Sequence, residues 1–164
     1  MASKKGVVIT AIVLGAITAA SFLVWTIPQE AAQTISVSDF EGHLDGVQSI
    51  HQVLSGELDA SFERLQAGEI TAQQYVEMAE ATSTQINSQI IQLVESGASE
   101  EWHESYISYM DALKTQNSII RETIVVANAA EETGQRGLEE SLARIEELRG
   151  DMQSLIEASV KSHP

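Results

Sequence analysis

Histidine is the residue type to follow first in this sequence, because there are four of them and no cysteine. The missing thiol excludes disulfides, thiolate metal sites, a cysteine nucleophile and lipoprotein acylation. Three arrangements of the histidines bear on chemistry. Glu100-Glu101-Trp102-His103 contains a Glu-x-x-His spacing. Residues three apart project from one helix face and in di-iron bundles bind neighbouring metals, but such centres need the motif twice, with a carboxylate from each of two other helices. Here it occurs once, with its acids where a helix N-terminus favours them anyway. The second arrangement is His43, His103 and His163, with Glu41, Glu104 and Glu157 at similar heights. If helices alternate in direction, these three histidines share one end of a bundle and form a candidate zinc or copper site. The bland alternative is solvated polar residues at helix ends. The third is His51, which interrupts the apolar run Val47, Leu54, Leu58. It is expected inside the bundle, at the height of Gln85 and Tyr109, as a hydrogen-bonded core histidine or a pH-sensitive ligand group.

Those placements require helices, and the sequence supplies them. Phe40, Leu44, Val47, His51, Leu54, Leu58, Phe62 and Leu65 recur every three or four residues. Ser36 with Asp39, or Ser38 with Glu41, can cap the start of that helix. Gly68 breaks the stripe, and Thr71-Ala72-Gln73-Gln74 fits a capping box for the next. The second stripe is Tyr75, Ala79, Thr82, Ile86, Ile90 and Leu93, with a polar middle at 82–89 that reads as a binding face or as an edge helix with a narrow apolar stripe. Gly97 suits a left-handed helix end and Ser99 a new start. The third stripe runs Trp102, Tyr106, Tyr109, Leu113, Asn117, Ile120, Ile124 and Ala127, widened by Ile107 and Met110. Gly134 and Gly137 mark a third turn, and Leu138, Leu142, Ile145, Leu148, Met152, Leu155 and Ser159 complete a fourth stripe. Gly134 also permits a kinked continuous helix and hence three longer helices. The expected fold is all-α, an antiparallel up-down-up-down four-helix bundle over 38–162.

Ahead of the bundle lies Gly6–Ile27, with no charged residue. At about 1.5 Å per residue a helix there spans roughly 33 Å, enough for a bilayer core of about 30 Å. Lys4 and Lys5 precede it and Glu30 follows, which predicts a cytoplasmic stub over 1–5, a single transmembrane anchor over 6–27, a linker over 28–37 and an extracytoplasmic C-terminus. A secretory signal peptide cleaved after Thr18-Ala19-Ala20 is the rival reading. The apolar run continues through Phe22-Leu23-Val24-Trp25, longer than an ordinary signal core, and favours a retained anchor. Ala11, Gly15 and Ala19 repeat every four residues and offer a small-residue face to another membrane helix.

The formal net charge is −15. Removing Lys4 and Lys5 leaves seven basic residues against 24 acids, a net of −17 on everything after the apolar segment. Such a surface repels nucleic acid, so no nucleic-acid partner is expected. No Gly-rich phosphate loop and no Gly-x-Ser-x-Gly elbow occurs. Nothing assembles a nucleophile, base and oxyanion site, so neither catalysis nor a cofactor is expected.

The architecture resembles the extracytoplasmic four-helix ligand-binding domains of chemoreceptors and histidine kinases. It departs from them in ending at Pro164 without a second span or cytoplasmic signalling domain, so it is not expected to signal across a membrane alone. The anchor, Lys4-Lys5 followed by Ser21-Phe22-Leu23-Val24-Trp25-Thr26-Ile27-Pro28-Gln29, resembles those of exported helical proteins of ammonia-oxidising archaea. That resemblance implies a setting near small helical accessory subunits of membrane ammonia monooxygenase. The expected function is a membrane-anchored, non-catalytic accessory or scaffold subunit, with membrane protein subunits or a second copy as partners. The alternative is a ligand- or metal-binding sensor-like module.

Overall fold

The computed structural model describes residues 37–132 and 138–164, with side chains described to residue 129 and from residue 138. The anchor segment 6–27, with Ala11, Gly15 and Ala19, lies outside the described residues. Among those described, no helix is long and apolar enough to cross a membrane.

The described residues are all-helical, with four helices: α1 (Phe40–Gln66), α2 (Ala72–Glu95), α3 (His103–Glu132) and α4 (Leu138–Lys161). Their cross-contacts run in antiparallel order. Ser61 of α1 meets Met78 of α2, Asn117 of α3 meets Ser83 and Asn87 of α2, and Ser105 of α3 meets Ser159 of α4. The starts of α1 and α3 and the end of α4 therefore share one end. Because α4 runs back along α3, the chain reverses between Glu132 and Leu138, and the three-helix alternative falls.

Helix boundaries follow local chemistry, with two corrections. Asp39 caps α1, its Oδ1 accepting from the Gly42 backbone at 2.9 Å, so the cap is not Ser38; Ser36 lies outside the described residues. The Thr71–Gln74 capping box of α2 is formed reciprocally, as the sequence predicts. Gly97 closes the α2 end at φ +61°, where a side chain is strained. Ser99 does not start α3. Its carbonyl accepts from Trp102 in a turn, and the helix begins at His103. Glu100 therefore precedes the helix, and the Glu-x-x-His spacing is not on one helical face.

The core is built mainly from the expected stripes. Leu44, Val47, Leu54 and Leu58 of α1 meet Tyr75, Ala79, Ile86 and Leu93 of α2, with Tyr106, Tyr109, Leu113 and Ile120 of α3 and Ile145 of α4. Each fully buried leucine or isoleucine contributes about 1.5–3 kcal/mol. Two features depart from the periodic reading. Ile107 is exposed rather than part of the core. And α3 carries a second buried face, Ser105, Ala112, Gln116, Ile119, Thr123 and Val126. Its small members let α4 approach closely, and Ser105 and Ser159 touch at 3.1 Å in full burial.

The polar middle of α2 is divided: Thr84, Gln85, Asn87 and Ser88 face outward, as on an edge helix with a narrow apolar stripe, while part of it turns toward α3. Asn117 accepts from the Ser83 hydroxyl at 2.8 Å and donates to Asn87 at 2.9 Å, while Thr82 and Gln89 are buried. This network lies in the α2–α3 seam.

The packing is asymmetric. α1 contacts α2 and, across the diagonal, α3. No α1 Cα lies within 8 Å of an α4 Cα. α4 packs on α3, and the α1–α4 side of the bundle stays parted at the backbone, bridged by the Arg149–Asp59 ion pair.

Candidate functional site

The parted side forms a cleft of about 470 Å³. Its α1 wall carries Gln48, His51, Gln52, Ser55 and Asp59. These recur at spacings of three, one, three and four residues, so they form a polar strip beside the apolar stripe. The α4 wall is Met152 and Ile156, one turn apart, with Gln153, and Tyr109 of α3 contributes to the cleft between the two helices.

His51 is the buried centre of this arrangement, at 3 % exposure. Its Nδ1 lies 2.8 Å from the Tyr109 hydroxyl, with the two rings edge to face. The sequence reading placed Tyr109 at this height, and the structure makes it the partner. Gln85, the other expected neighbour, lies instead on an outer groove beside Ile50 and Val53. Burial pushes the His51 ring below its ordinary value. The nearby Gln116 amide, short of hydrogen-bond geometry, opposes that only in part. Burial also pushes the Tyr109 hydroxyl upward, so it stays protonated and able to donate.

Proton placement follows from what each choice leaves unpaired. If the phenol donates to Nδ1, one buried N–H, at Nε2, is left without a partner. If Nδ1 donates to the phenol, the buried phenolic O–H and the Nε2 lone pair both are. The first arrangement costs less, because an unpaired buried donor carries a penalty of about 1–3 kcal/mol. His51 therefore presents Nε2–H. That atom is one of three buried polar atoms on the α1 wall without a hydrogen-bond partner, the others being Gln48 Nε2 and Ser55 Oγ. Positions 48, 51 and 55 lie on one side of α1, spread over about 10 Å along its axis. Asp59, at the end of the strip, is already engaged by Arg149 of α4 at 2.6 Å.

The three histidines expected to share an end of the bundle each have surroundings of their own. The Tyr106 hydroxyl donates to the Phe40 carbonyl at 2.9 Å and accepts from His43 Nδ1 at 3.0 Å. His163 packs its ring on Trp102 at 4.9 Å between centroids. His103 is exposed at the first turn of α3. Among the described residues no group of three or more histidine, aspartate or glutamate side chains could hold a metal ion. His163 Nε2 is buried without a hydrogen-bond partner, and the strip on α1, which periodicity passes over, carries three such atoms along one wall.

Compared with known proteins, the chain matches no family model, no curated protein and no solved structure, so its own geometry carries the functional reading.

Proposed function

We propose that this protein is a non-catalytic binding module, held at a membrane by the segment 6–27 with its helices on the extracytoplasmic side, whose ligand enters the cleft between α1 and α4. The observation that carries the reading is His51, buried, held by Tyr109 and left with an unpartnered Nε2 beside the cleft. Natively folded chains pair nearly all buried polar groups with protein, water or ligand, so three unpaired atoms along one cleft wall support a site that a polar molecule completes. The volume falls in the range of small-molecule sites. The test is native mass spectrometry of the full chain, purified in mild detergent from its own cells. A bound small molecule that disappears in a Gln52→Trp variant, which crowds the rim, is expected. A bare polypeptide mass from integral membranes overturns the ligand reading, and release of the chain by alkaline carbonate overturns the anchor.

A second reading, accessory subunit of a membrane complex, rests on a different surface. Ile50 and Val53 are 44 % and 59 % exposed and line a shallow groove with Leu54 and Gln85 on the α1–α2 side. Exposed apolar residues that line a groove suit a protein partner. A polypeptide that co-purifies with the chain and is lost in Val53→Glu supports this reading, and a monodisperse monomer counts against it. The resemblance of the anchor suggests ammonia monooxygenase as the complex to probe first.

A further inference from the structure

We infer that the α1–α4 cleft selects a neutral small molecule that presents a carbonyl oxygen to α1 and an apolar body to α4. The inference rests on the ligand reading above and adds the chemical class. Three observations set it. The unpartnered atoms of Gln48 and His51 are N–H donors, and the Ser55 hydroxyl is able to donate beside them, so the α1 wall asks for acceptor oxygen. On the facing wall Met152 and Ile156 favour carbon, and the Gln153 amide beside them already donates to Glu157 on its own helix.

Charge completes the selection. Asp59, the acid on the cleft wall, is paired with Arg149, so neither a bare anion nor a bare cation is left there to hold a charged ligand. Two N–H donors repel a cation. A free carboxylate must approach a chain of net charge −15 and lose its hydration in a cleft that gives it no cation. A neutral amide or ketone meets neither obstacle. The His51–Tyr109 pair enforces the preference, because the phenol occupies Nδ1 and leaves Nε2–H, buried beside the cleft near the Gln116 amide, as the ring's remaining donor.

The test uses three probes of the same size and different charge, benzamide, benzoate and benzylammonium, titrated into the full chain with isotope-labelled histidine and methionine. Benzamide is expected to give saturable shifts at the His51 ring and the Met152 methyl, half-complete near 1 mM, an affinity of roughly 4 kcal/mol. Benzoate and benzylammonium are expected to bind at least about tenfold more weakly at those signals. Gln48→Leu, which leaves the His51–Tyr109 bond intact, is expected to weaken benzamide by about tenfold with the remaining methyl spectrum unchanged. His51→Phe is expected to abolish the Met152 response. Saturable binding at His51 by a charged probe in preference to benzamide overturns the inferred class while leaving the cleft a binding site. Absence of saturable shifts at His51 and Met152 with all three probes overturns both. Undiminished benzamide binding in Gln48→Leu and His51→Phe overturns the role of the α1 donors.

Discussion

The Nδ1 atom of His51 lies 2.8 Å from the Tyr109 hydroxyl, and this bond ties α1 to α3 beside the cleft. It joins residues 58 positions apart in the chain, both almost fully buried. Each group therefore depends on the other for its hydrogen bond.

Removing one side of the pair leaves the other stranded. Tyr109→Phe is expected to destabilise the bundle by about 1–3 kcal/mol, the cost of an unpaired buried polar group. The measurement is the urea midpoint at pH 7.5. A change below about 0.5 kcal/mol would mean that the ring finds another partner.

Acid should act through the same ring. Burial favours neutral His51, so its folded-state value lies below the ordinary 6.5. As pH falls below about 6.5 the unfolded chain takes up this proton first, and stability is lost down to the lower, folded-state value. The carboxylates of this acidic chain titrate in both the native protein and a His51→Gln variant, so the difference between the two isolates the ring. Urea unfolding at pH 7.5 and pH 5.0 is expected to show the larger loss in the native protein. Equal losses would remove His51 as the cause.

The α2–α3 seam is held by Asn117, which bonds to both Ser83 and Asn87. Asn117→Ala is expected to cost about 2 kcal/mol, because a buried side chain is lost together with its bonds to half-buried Ser83 and exposed Asn87. Ser83→Ala removes one bond and is expected to cost about 1 kcal/mol. A double-mutant cycle in which the two losses simply add would show that the groups do not act as a network.

Two serine or threonine positions that look alike in sequence should behave differently. Thr71→Ala breaks a formed capping box and is expected to cost about 1 kcal/mol. Ser99→Ala is expected to cost less than about 0.5 kcal/mol, since α3 starts at His103 and Ser99 contributes its backbone carbonyl to the turn. Thermal melts of the two variants decide it, and equal shifts would restore Ser99 as a cap.

The helices, the Thr71 cap, the turn at Gly97 and the register of His51 with Tyr109 were legible because each rests on local spacing. The second face of α3 was not. Ser105, Ala112 and Thr123 are small or polar, and in sequence they look like residues of a solvated side. Their burial follows from how closely α4 approaches. The polar network was hidden for a similar reason, since Ser83 and Asn87 acquire a role only when Asn117 lies opposite. The cleft depends on the distance between α1 and α4, a property of the packed bundle. Its strip of Gln48, His51 and Ser55 is nevertheless visible afterwards as a polar line at helical spacing beside an apolar one. The histidines of the shared end have partners that spacing alone does not reveal. Helix order brings His43 and His163 to one end, but Tyr106 and Trp102 engage them separately.

The parted α1–α4 side also bears on how the chain acquires its shape. Apart from the α1–α3 diagonal and the Asp59–Arg149 ion pair that links α1 to α4, neighbours in space are neighbours in sequence. Loop closure is therefore short at each step, and helical chains dominated by such contacts fold in microseconds to milliseconds. Each helix can dock on the one made just before it as the polypeptide emerges N-terminus first. Only the exposed Asp59–Arg149 pair has to wait for the C-terminal helix to reach the N-terminal one, and it can close last.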